Sequence, residues 1–250
     1  MQRILLAILL AVLPQLVMPA WAQPASGGPA PSGDAKPATA APPVGSAKPA
    51  APAAGEPAKP AYAVTGFRSA KFGMTEAEVR GAIHKDFAVK PDDIRATPNA
   101  IERTTALIVS LPSLDPGPGA ATAVFILGYQ SKKLIQVNVQ WAHDGAAGKA
   151  DTAPYLVAGV QLVNYFNQFS WRDGRVNLGI PIGPASLLLF GGEDDKTGAV
   201  QVLAEGVTVE RKAEGQLEAA PQAGVPVSLR VSYIADRLKP DIFRLEPGRF

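Results

Sequence analysis

Side chains that can move protons or bind metals near neutral pH are scarce in this sequence. Its 250 residues include two histidines and no cysteine, which excludes disulfides, thiolate metal sites, a catalytic thiol and a lipidated cysteine. His84 falls about one residue off the apolar stripe of a predicted helix, and we expect it to be a partly buried structural residue. His143 and Asp144 end a predicted strand. A metal site would need His84 and a carboxylate brought together, and no spacing indicates this.

Two acidic clusters are the next candidates for chemistry. Glu193, Asp194 and Asp195 are adjacent, but a calcium loop has its ligands at alternating positions. We therefore expect a solvated hairpin tip between two apolar strands. Asp92 and Asp93 follow a Lys-Pro pair, which predicts a turn and a helix cap; adjacent carboxylates there would face different ways.

Serine and glycine motifs do not indicate an enzyme either. Ser186 precedes an apolar strand and is not part of a Gly-x-Ser-x-Gly elbow. A nucleophilic serine also needs an activating base, and the sequence does not indicate one for Ser186. The segments 117–119 and 179–183 contain glycine together with proline, which removes N–H groups that a phosphate cradle would use. We predict no cofactor and no metal, and retain a carboxylate-based hydrolase only as an alternative to a non-catalytic protein.

Surface aromatic and amide side chains remain as an interaction surface. Trp171 and Arg172 lie in a turn after a predicted helix, and we expect Trp171 to be exposed. Gln136, Asn138 and Gln140 occupy one face of a predicted strand, which we expect to be wet. The aromatic residues that could anchor an interface, although most would be core, are Tyr129, Trp141, Tyr155, Tyr165, Trp171 and Tyr233.

The chain divides into three parts. Residues 1–22 have a basic start, an apolar run and an Ala-x-Ala end, which predict a signal peptide and a periplasmic protein with no stable membrane insertion after cleavage. Residues 23–61 are rich in alanine and proline and predict a disordered linker. Residues 62–250 have equal numbers of basic and acidic residues, so nucleic acid is not an expected partner.

Periodicity predicts helices and strands within residues 62–250. Thr75 and Glu78 have capping-box spacing, and the apolar stripe after them predicts a helix that stops at Lys90. Alternation predicts strands over 105–111, 121–129 and 135–141, with Ile135 on the same face as Val137. A second helix from residue 152 has an apolar stripe too wide for a surface helix, so we expect it to lie between or across sheets, with Gly159 at a close crossing.

Later segments complete the predicted fold. Strands are expected at 187–190, 199–203, 207–209 and 227–233, and a loop at 215–224. We predict an α+β domain of antiparallel sheet with two helices packed on one face. Two helix-plus-strands halves, 63–142 and 150–235, are the alternative to a single unit.

The helix start also carries a resemblance. Phe72-Gly73-Met74-Thr75-Glu76-Ala77-Glu78-Val79 is similar to the Gly-Met-Thr-x-x-x-Val opening of the small outer-membrane assembly lipoproteins (the SmpA/OmlA-like family) and resembles the opening of the β-lactamase-inhibitor-protein fold. The resemblance spans roughly residues 72–142, with residues 125–141 matching a polar-tipped hairpin. It implies a cell-envelope binding scaffold and not an enzyme. Those lipoproteins carry a lipidated cysteine, which this chain lacks, so membrane anchoring does not carry over.

These observations favour a non-catalytic periplasmic protein that binds another envelope protein. The alternative is a small-molecule or cell-wall-fragment binder with a cleft between two α+β halves. The interaction surface that the sequence offers consists of Trp171, Arg172, Gln136, Asn138 and Gln140.

Overall fold

The fold is α+β with antiparallel sheet, as the sequence predicts. The computed structural model describes residues 58–142, 153–211, 217–222, 225–245 and 248. The predicted signal peptide, most of the linker, and His143 and Asp144 lie outside the described residues. The helices are α1 (Glu76–Phe87) and α2 (Ala153–Phe166). The strands are β1 (Gly66–Phe67), β2 (Ala70–Lys71), β3 (Arg95–Pro98), β4 (Thr105–Leu111), β5 (Ala121–Leu127), β6 (Leu134–Ala142), β7 (Val176–Gly183), β8 (Ser186–Glu193), β9 (Ala199–Glu205), β10 (Val207–Arg211), β11 (Leu217–Pro221) and β12 (Ser228–Ile234).

Eight strands form one antiparallel sheet in the order β3-β4-β5-β6-β12-β9-β8-β7. In chain order, α1 precedes β3 to β6, and α2 precedes β7, β8, β9 and β12. The two sets of strands meet where β6 pairs with β12, with Val139 opposite Val231. We call this β6–β12 pairing the seam. A helix followed by four adjoining strands thus occurs on each side of it.

The predicted start of α1 is confirmed. Thr75 is the N-cap, and the Glu78 carboxylate accepts the Thr75 backbone N–H at 2.7 Å and its hydroxyl at 2.8 Å. These bonds hold the pKa of Glu78 below its usual range. The helix ends earlier than predicted, because Ala88 adopts φ 54° and its N–H donates to the His84 carbonyl.

The hairpin of β5 and β6 is confirmed, but the prediction placed Ile135 on the wrong face of the sheet. A bulge shifts the register so that Ile126 pairs with Gln136 and Leu127 pairs with Leu134. Ile135 is left between these pairs and packs on the second face of the sheet, opposite Val137. A bulge turns two consecutive side chains to one face, which simple alternation does not foresee.

The close crossing predicted at Gly159 is confirmed, and of the two predicted positions, between or across sheets, α2 takes the second and lies across the sheet. A Cβ at Gly159 would lie 2.6 Å from Leu189 Cδ1 and 3.4 Å from Leu229 Cδ1. The outer face of α2 is not covered, because Val157 and Val160 are 56% and 55% exposed. The width of the apolar stripe therefore reflects exposed apolar residues and not a second sheet.

Several elements differ from the predictions. The strands β3 and β7 were not predicted, and β11 lies within the predicted loop 215–224. The sequence predicts a central strand at 187–190, which is apolar on both faces, but this segment belongs to β8, and only β7 separates β8 from the sheet edge. These strands carry proline, glycine or charged residues, so they lack the clean alternation that sequence patterns detect.

One large core joins both helices to the sheet. It includes Val79 and Ile83 of α1, Leu162 and Phe166 of α2, and sheet residues such as Phe125. On the second face of the sheet a smaller cluster contains Ala106, Ile108, Val124 and Ile126.

Candidate binding cleft

A cleft of about 560 Å³ opens over the seam. Its floor is formed by residues of β6 and β12, among them the paired Val139 and Val231 together with Trp141. One wall is α2, which contributes Leu162 and Tyr165. The opposite wall is the segment 62–68, which runs into the β1–β2 hairpin, and a loop at 114–116 closes one end. We call this space the seam cleft; residues from both sides of the seam line it.

The floor is held in place by a bond to the end loop. Trp141 is buried, and its Nε1–H donates to the Leu114 carbonyl at 2.9 Å. Gly117 lies against the indole ring so closely that a Cβ there would overlap it. Glycine is therefore required at this close approach.

The wall formed by residues 62–68 is tied to the domain at three points. The N–H of Tyr62 donates to the Ser170 carbonyl at 3.0 Å. The N–H of Val64 donates to the buried Asp194 carboxylate at 2.9 Å, and that of Ser69 donates to Asp86 of α1 at 2.8 Å. The wall is therefore preformed and does not depend on a ligand for its position.

Described residues before the predicted boundary at Tyr62 also contact the domain. Ala61 forms a parallel bridge with Ser170, whose N–H donates to the Pro60 carbonyl at 2.9 Å. Lys59 Nζ donates to the Asn167 carbonyl at 2.8 Å. The last residues of the predicted linker are thus bound to the segment that follows α2.

Stacked aromatic rings support this wall from behind. The Tyr62 ring stacks on Trp171 with centroids 4.7 Å apart and meets Phe166 edge-on at 5.6 Å. Phe166 in turn stacks on Phe190 at 5.4 Å. Such aromatic pairs contribute roughly 0.5–1.5 kcal/mol each beyond area burial, so Tyr62 is firmly positioned.

Burial controls the protonation of two phenols in the cleft. Desolvation, with a smaller contribution from Tyr165, raises the pKa of Tyr62 to about 12. Desolvation also raises the pKa of Tyr233, with smaller contributions from the other phenols, and Arg68 opposes this effect. Both phenols are therefore neutral O–H donors near neutral pH.

Cationic side chains stand at the mouth of the cleft. Arg68 and Lys71, from the β1–β2 hairpin, line it and are exposed. The Arg68 guanidinium lies 4.9 Å from the ring centroid of Phe87 and 5.7 Å from that of Phe67. Asp115 is the one carboxylate among the described residues that line the cleft.

The predicted exposure of Trp171 is wrong. Its ring is half-buried against the core, and its Nε1–H donates to the Phe166 carbonyl at 3.0 Å. Arg172 forms an ion pair with the buried Glu193 carboxylate. Both residues are engaged within the domain, because the turn that carries them folds back onto β8.

The polar face of β6 carries its predicted residues, but they are half-buried and partly bonded to one another. Gln136 Nε2 donates to Asn138 Oδ1 at 2.9 Å. Gln140 Nε2 donates to Ser228 Oγ at 3.4 Å, and that hydroxyl donates to the Glu205 carboxylate at 3.1 Å. The structure does not bring these amides together with Trp171 and Arg172 in one patch. The three amides lie on the face of the sheet opposite the seam cleft.

The solvated hairpin tip predicted at the acidic cluster is also wrong in part. Asp195 is exposed, but Glu193 and Asp194 are 4% and 7% exposed. The Asp194 carboxylate accepts N–H groups of Val64, Lys196 and Gly198 at 2.8–2.9 Å. Sequence alone predicts a solvent-facing cluster, because it does not show that the segment at Val64 covers these carboxylates.

The remaining candidates for chemistry serve local structure. His84 is exposed and not partly buried as predicted, and its Nδ1 lies 2.9 Å from the Val89 carbonyl oxygen. Asp92 and Asp93 belong to an exposed 3-10 turn, and Ser186 begins β8. Across the described ranges, no group of three or more His, Asp or Glu side chains is placed to hold a metal ion.

Sequence reasoning named some residues of the cleft and missed others. Trp141, Tyr165 and Tyr233 were among the aromatic candidates, without a shared location. Tyr62 and Arg68 were missed, since the two-residue strands beside them are too short for any periodicity. The one available signal was the density of tyrosine, phenylalanine and arginine just after the linker.

Comparisons with protein-family models, with curated proteins and with solved structures found no match. The resemblance to the outer-membrane assembly lipoproteins therefore stays a prediction. Within the part of the chain that the structure describes, every helix is too short or too polar to cross a membrane.

Proposed function

We propose that this protein is exported to the periplasm and binds a small organic molecule in the seam cleft, without catalysing a reaction. The observation that carries the proposal is the preformed cleft of about 560 Å³ lined by aromatic, apolar and a few polar side chains. This volume and lining are typical of small-molecule sites. The sequence ranked a protein-interaction module first, but Trp171 and Arg172 are engaged within the domain.

The arrangement of the helices supports a cleft between two units. We infer that α1 and α2 both lie over one face of the sheet, because buried residues of both belong to the core that includes Val139 and Val231. The seam cleft then occupies the space that neither helix fills. Binding clefts commonly occur where two structural units meet.

The carboxylates of the described residues support a non-catalytic role. A general acid or base needs a carboxylate that faces a substrate site. Glu193 pairs with Arg172 and Arg237, and Asp194 accepts backbone N–H groups. The exposed Asp115 stands at the cleft without a second carboxylate beside it.

A thermal-shift screen of small organic molecules tests this function. Ligand binding to the native state raises the melting temperature by mass action, and we expect hits among molecules with an apolar ring. Ala63 is exposed and lines the cleft, so Ala63→Trp should fill it and abolish the shifts. Ala100 is exposed in the β3–β4 turn, and Ala100→Trp is the matched control. No hit, or hits that persist in Ala63→Trp, would overturn the proposal.

A second candidate is binding of an extended segment of another envelope protein to β7. In the described sheet β7 is an edge strand, and its Val176 and Leu178 are 42% and 51% exposed. An edge strand offers unpaired N–H and C=O groups to a further strand.

Photo-crosslinking in cells tests the second candidate. A probe at Leu178 should capture one envelope protein, and a probe at Asn138 on the second face should not. Leu178→Lys should abolish pull-down of that protein by the otherwise unmodified chain, whereas Ile101→Lys, at a residue 83% exposed outside β7, should not. Equal pull-down in both variants would exclude β7.

A further inference from the structure

Several polar groups of the seam cleft have no protein partner. Among the described residues, the hydroxyls of Tyr62, Tyr165 and Tyr233 form no hydrogen bond, and Arg68 and Lys71 form no ion pair. By contrast, the buried carboxylates outside the cleft are bonded to backbone N–H groups or arginines. Convergent polar groups without partners are what a ligand would complete.

The charge of these groups is one-sided. Arg68 and Lys71 place two cations on the hairpin wall, against one carboxylate, Asp115, at the end loop. Arg68 is held by its stacking on Phe87 and by the hairpin turn, whose Ser69 N–H is bound to α1. A fixed guanidinium matches the two oxygens of a carboxylate with parallel hydrogen bonds.

The phenols add donors to this cationic wall. Tyr233 lies beside the wall, with its ring centroid 5.3 Å from that of Phe67. A phenol with the ordinary pKa near 10 is already neutral at pH 7, and burial raises the pKa of Tyr62 and Tyr233 further. An anion at this point would therefore receive O–H and N–H donors and meet no like charge from them.

The wall formed by α2 combines apolar surface with one amide side chain, that of Gln161. Leu162 and the ring of Tyr165 supply the apolar surface that lines the cleft. Tyr165 is 48% exposed, so its ring has free surface on which an apolar or aromatic group can pack.

We propose that the ligand of the seam cleft is a small carboxylate with an apolar ring, whose carboxylate is bound by Arg68 with Tyr62 and Tyr233 and whose ring packs against Leu162 and Tyr165. This assignment rests on the proposed function and specifies its ligand. Lys71 adds long-range attraction from the cleft mouth, and Asp115 opposes it.

Isothermal titration with two probes of equal shape tests the assignment. Indole acetate carries the carboxylate, and indole acetamide replaces it with a neutral amide. Loss of a charge-assisted hydrogen bond of 1.5–3 kcal/mol corresponds to at least about tenfold in affinity, so the acetate should bind at least about tenfold more tightly. In Arg68→Gln the difference should fall to about threefold or less, while the variant still unfolds in one cooperative thermal transition, since Arg68 is exposed.

Asp115→Asn should change the affinity for indole acetate in the opposite direction from Arg68→Gln. Removing the single carboxylate of the cleft should tighten acetate binding and leave acetamide binding unchanged.

Equal affinity for both probes would overturn the carboxylate assignment and leave the binding function standing. Weaker acetate binding in Asp115→Asn would overturn it as well, by showing that Asp115 is not a repulsive neighbour. Tighter binding of phenyl phosphate than of phenylacetate, the carboxylate of phenylacetic acid, would replace the carboxylate with a phosphate. Absence of binding by either indole probe, together with a screen without hits, would remove the proposed function itself.

Discussion

Replacing Asp194 with asparagine should destabilise the domain and loosen the wall of the cleft. One carboxylate oxygen of Asp194 accepts the N–H groups of Lys196 and Gly198, and the other accepts that of Val64. Asparagine retains an acceptor on one side only, so its NH₂ group would face the Val64 N–H. A buried donor left without a partner costs roughly 1–3 kcal/mol, and we expect a loss of about 2 kcal/mol in the free energy of unfolding. For a domain of this size that corresponds to a fall of about 6 °C in melting temperature.

Urea denaturation measures this loss, and the neighbouring residue provides the control. Asp195 is exposed, and Asp195→Asn removes the same charge from the same turn without removing an N–H acceptor. We expect a lower midpoint with an unchanged m-value for Asp194→Asn and no change for Asp195→Asn. Equal midpoints for the two variants would refute the argument that the Asp194 carboxylate holds Val64. Hydrogen exchange should also become faster at the Val64 amide.

Three further perturbations test other parts of the fold. Thr75→Ala removes the N-cap of α1 and should cost about 1 kcal/mol in urea denaturation; a loss near zero would contradict the cap. Gly159→Leu should lower the melting temperature through overpacking against Leu189 and Leu229, by about 1–3 kcal/mol of stability, whereas Gly81→Leu, in a part of α1 with open space at its Cβ position, should not. Because burial raises the pKa of Tyr62 from 10.0 to about 12, its ionisation favours the unfolded chain, so this contribution to stability is present below pH 10 and lost as the pH rises towards 12. Tyr62→Phe should therefore show a smaller alkaline loss of stability, followed by denaturation curves at each pH, and an identical loss would contradict the burial of that phenol.

Local rules predicted the parts of the fold in which neighbouring residues decide the structure. The start of α1 depends on Thr75 and Glu78, three residues apart, and was confirmed. The hairpin of β5 and β6 follows from alternation, but the bulge that turns Ile135 to the second face follows from pairing with a distant partner. The edge strand β7 escaped prediction because its Pro181 and Gly179 are residues that favour turns.

The cleft itself was beyond local rules. Its lining comes from the start of the domain, a loop after β4, the end of β6, α2 and β12, and only the seam pairing brings them together. The same long-range packing reversed the expectations for Trp171 and Asp194. Each lies in a polar turn by sequence, and each is covered by the segment at residues 62–64. A contact between residues more than a hundred positions apart leaves no trace in the periodicity of either segment.

NMR chemical-shift mapping with the strongest ligand of the thermal-shift screen tests the central claim most directly. We predict that shifts in backbone amides concentrate at 62–68, 114–116 and 161–165, three of the segments that line the seam cleft, and at the cleft-floor residues of β6 and β12. Ala63→Trp should abolish them, and Ala100→Trp should not. Shifts concentrated on β7, or in the side-chain amide groups of Gln136, Asn138 and Gln140 on the second face of the sheet, would contradict the account, because the ligand would then bind outside the cleft.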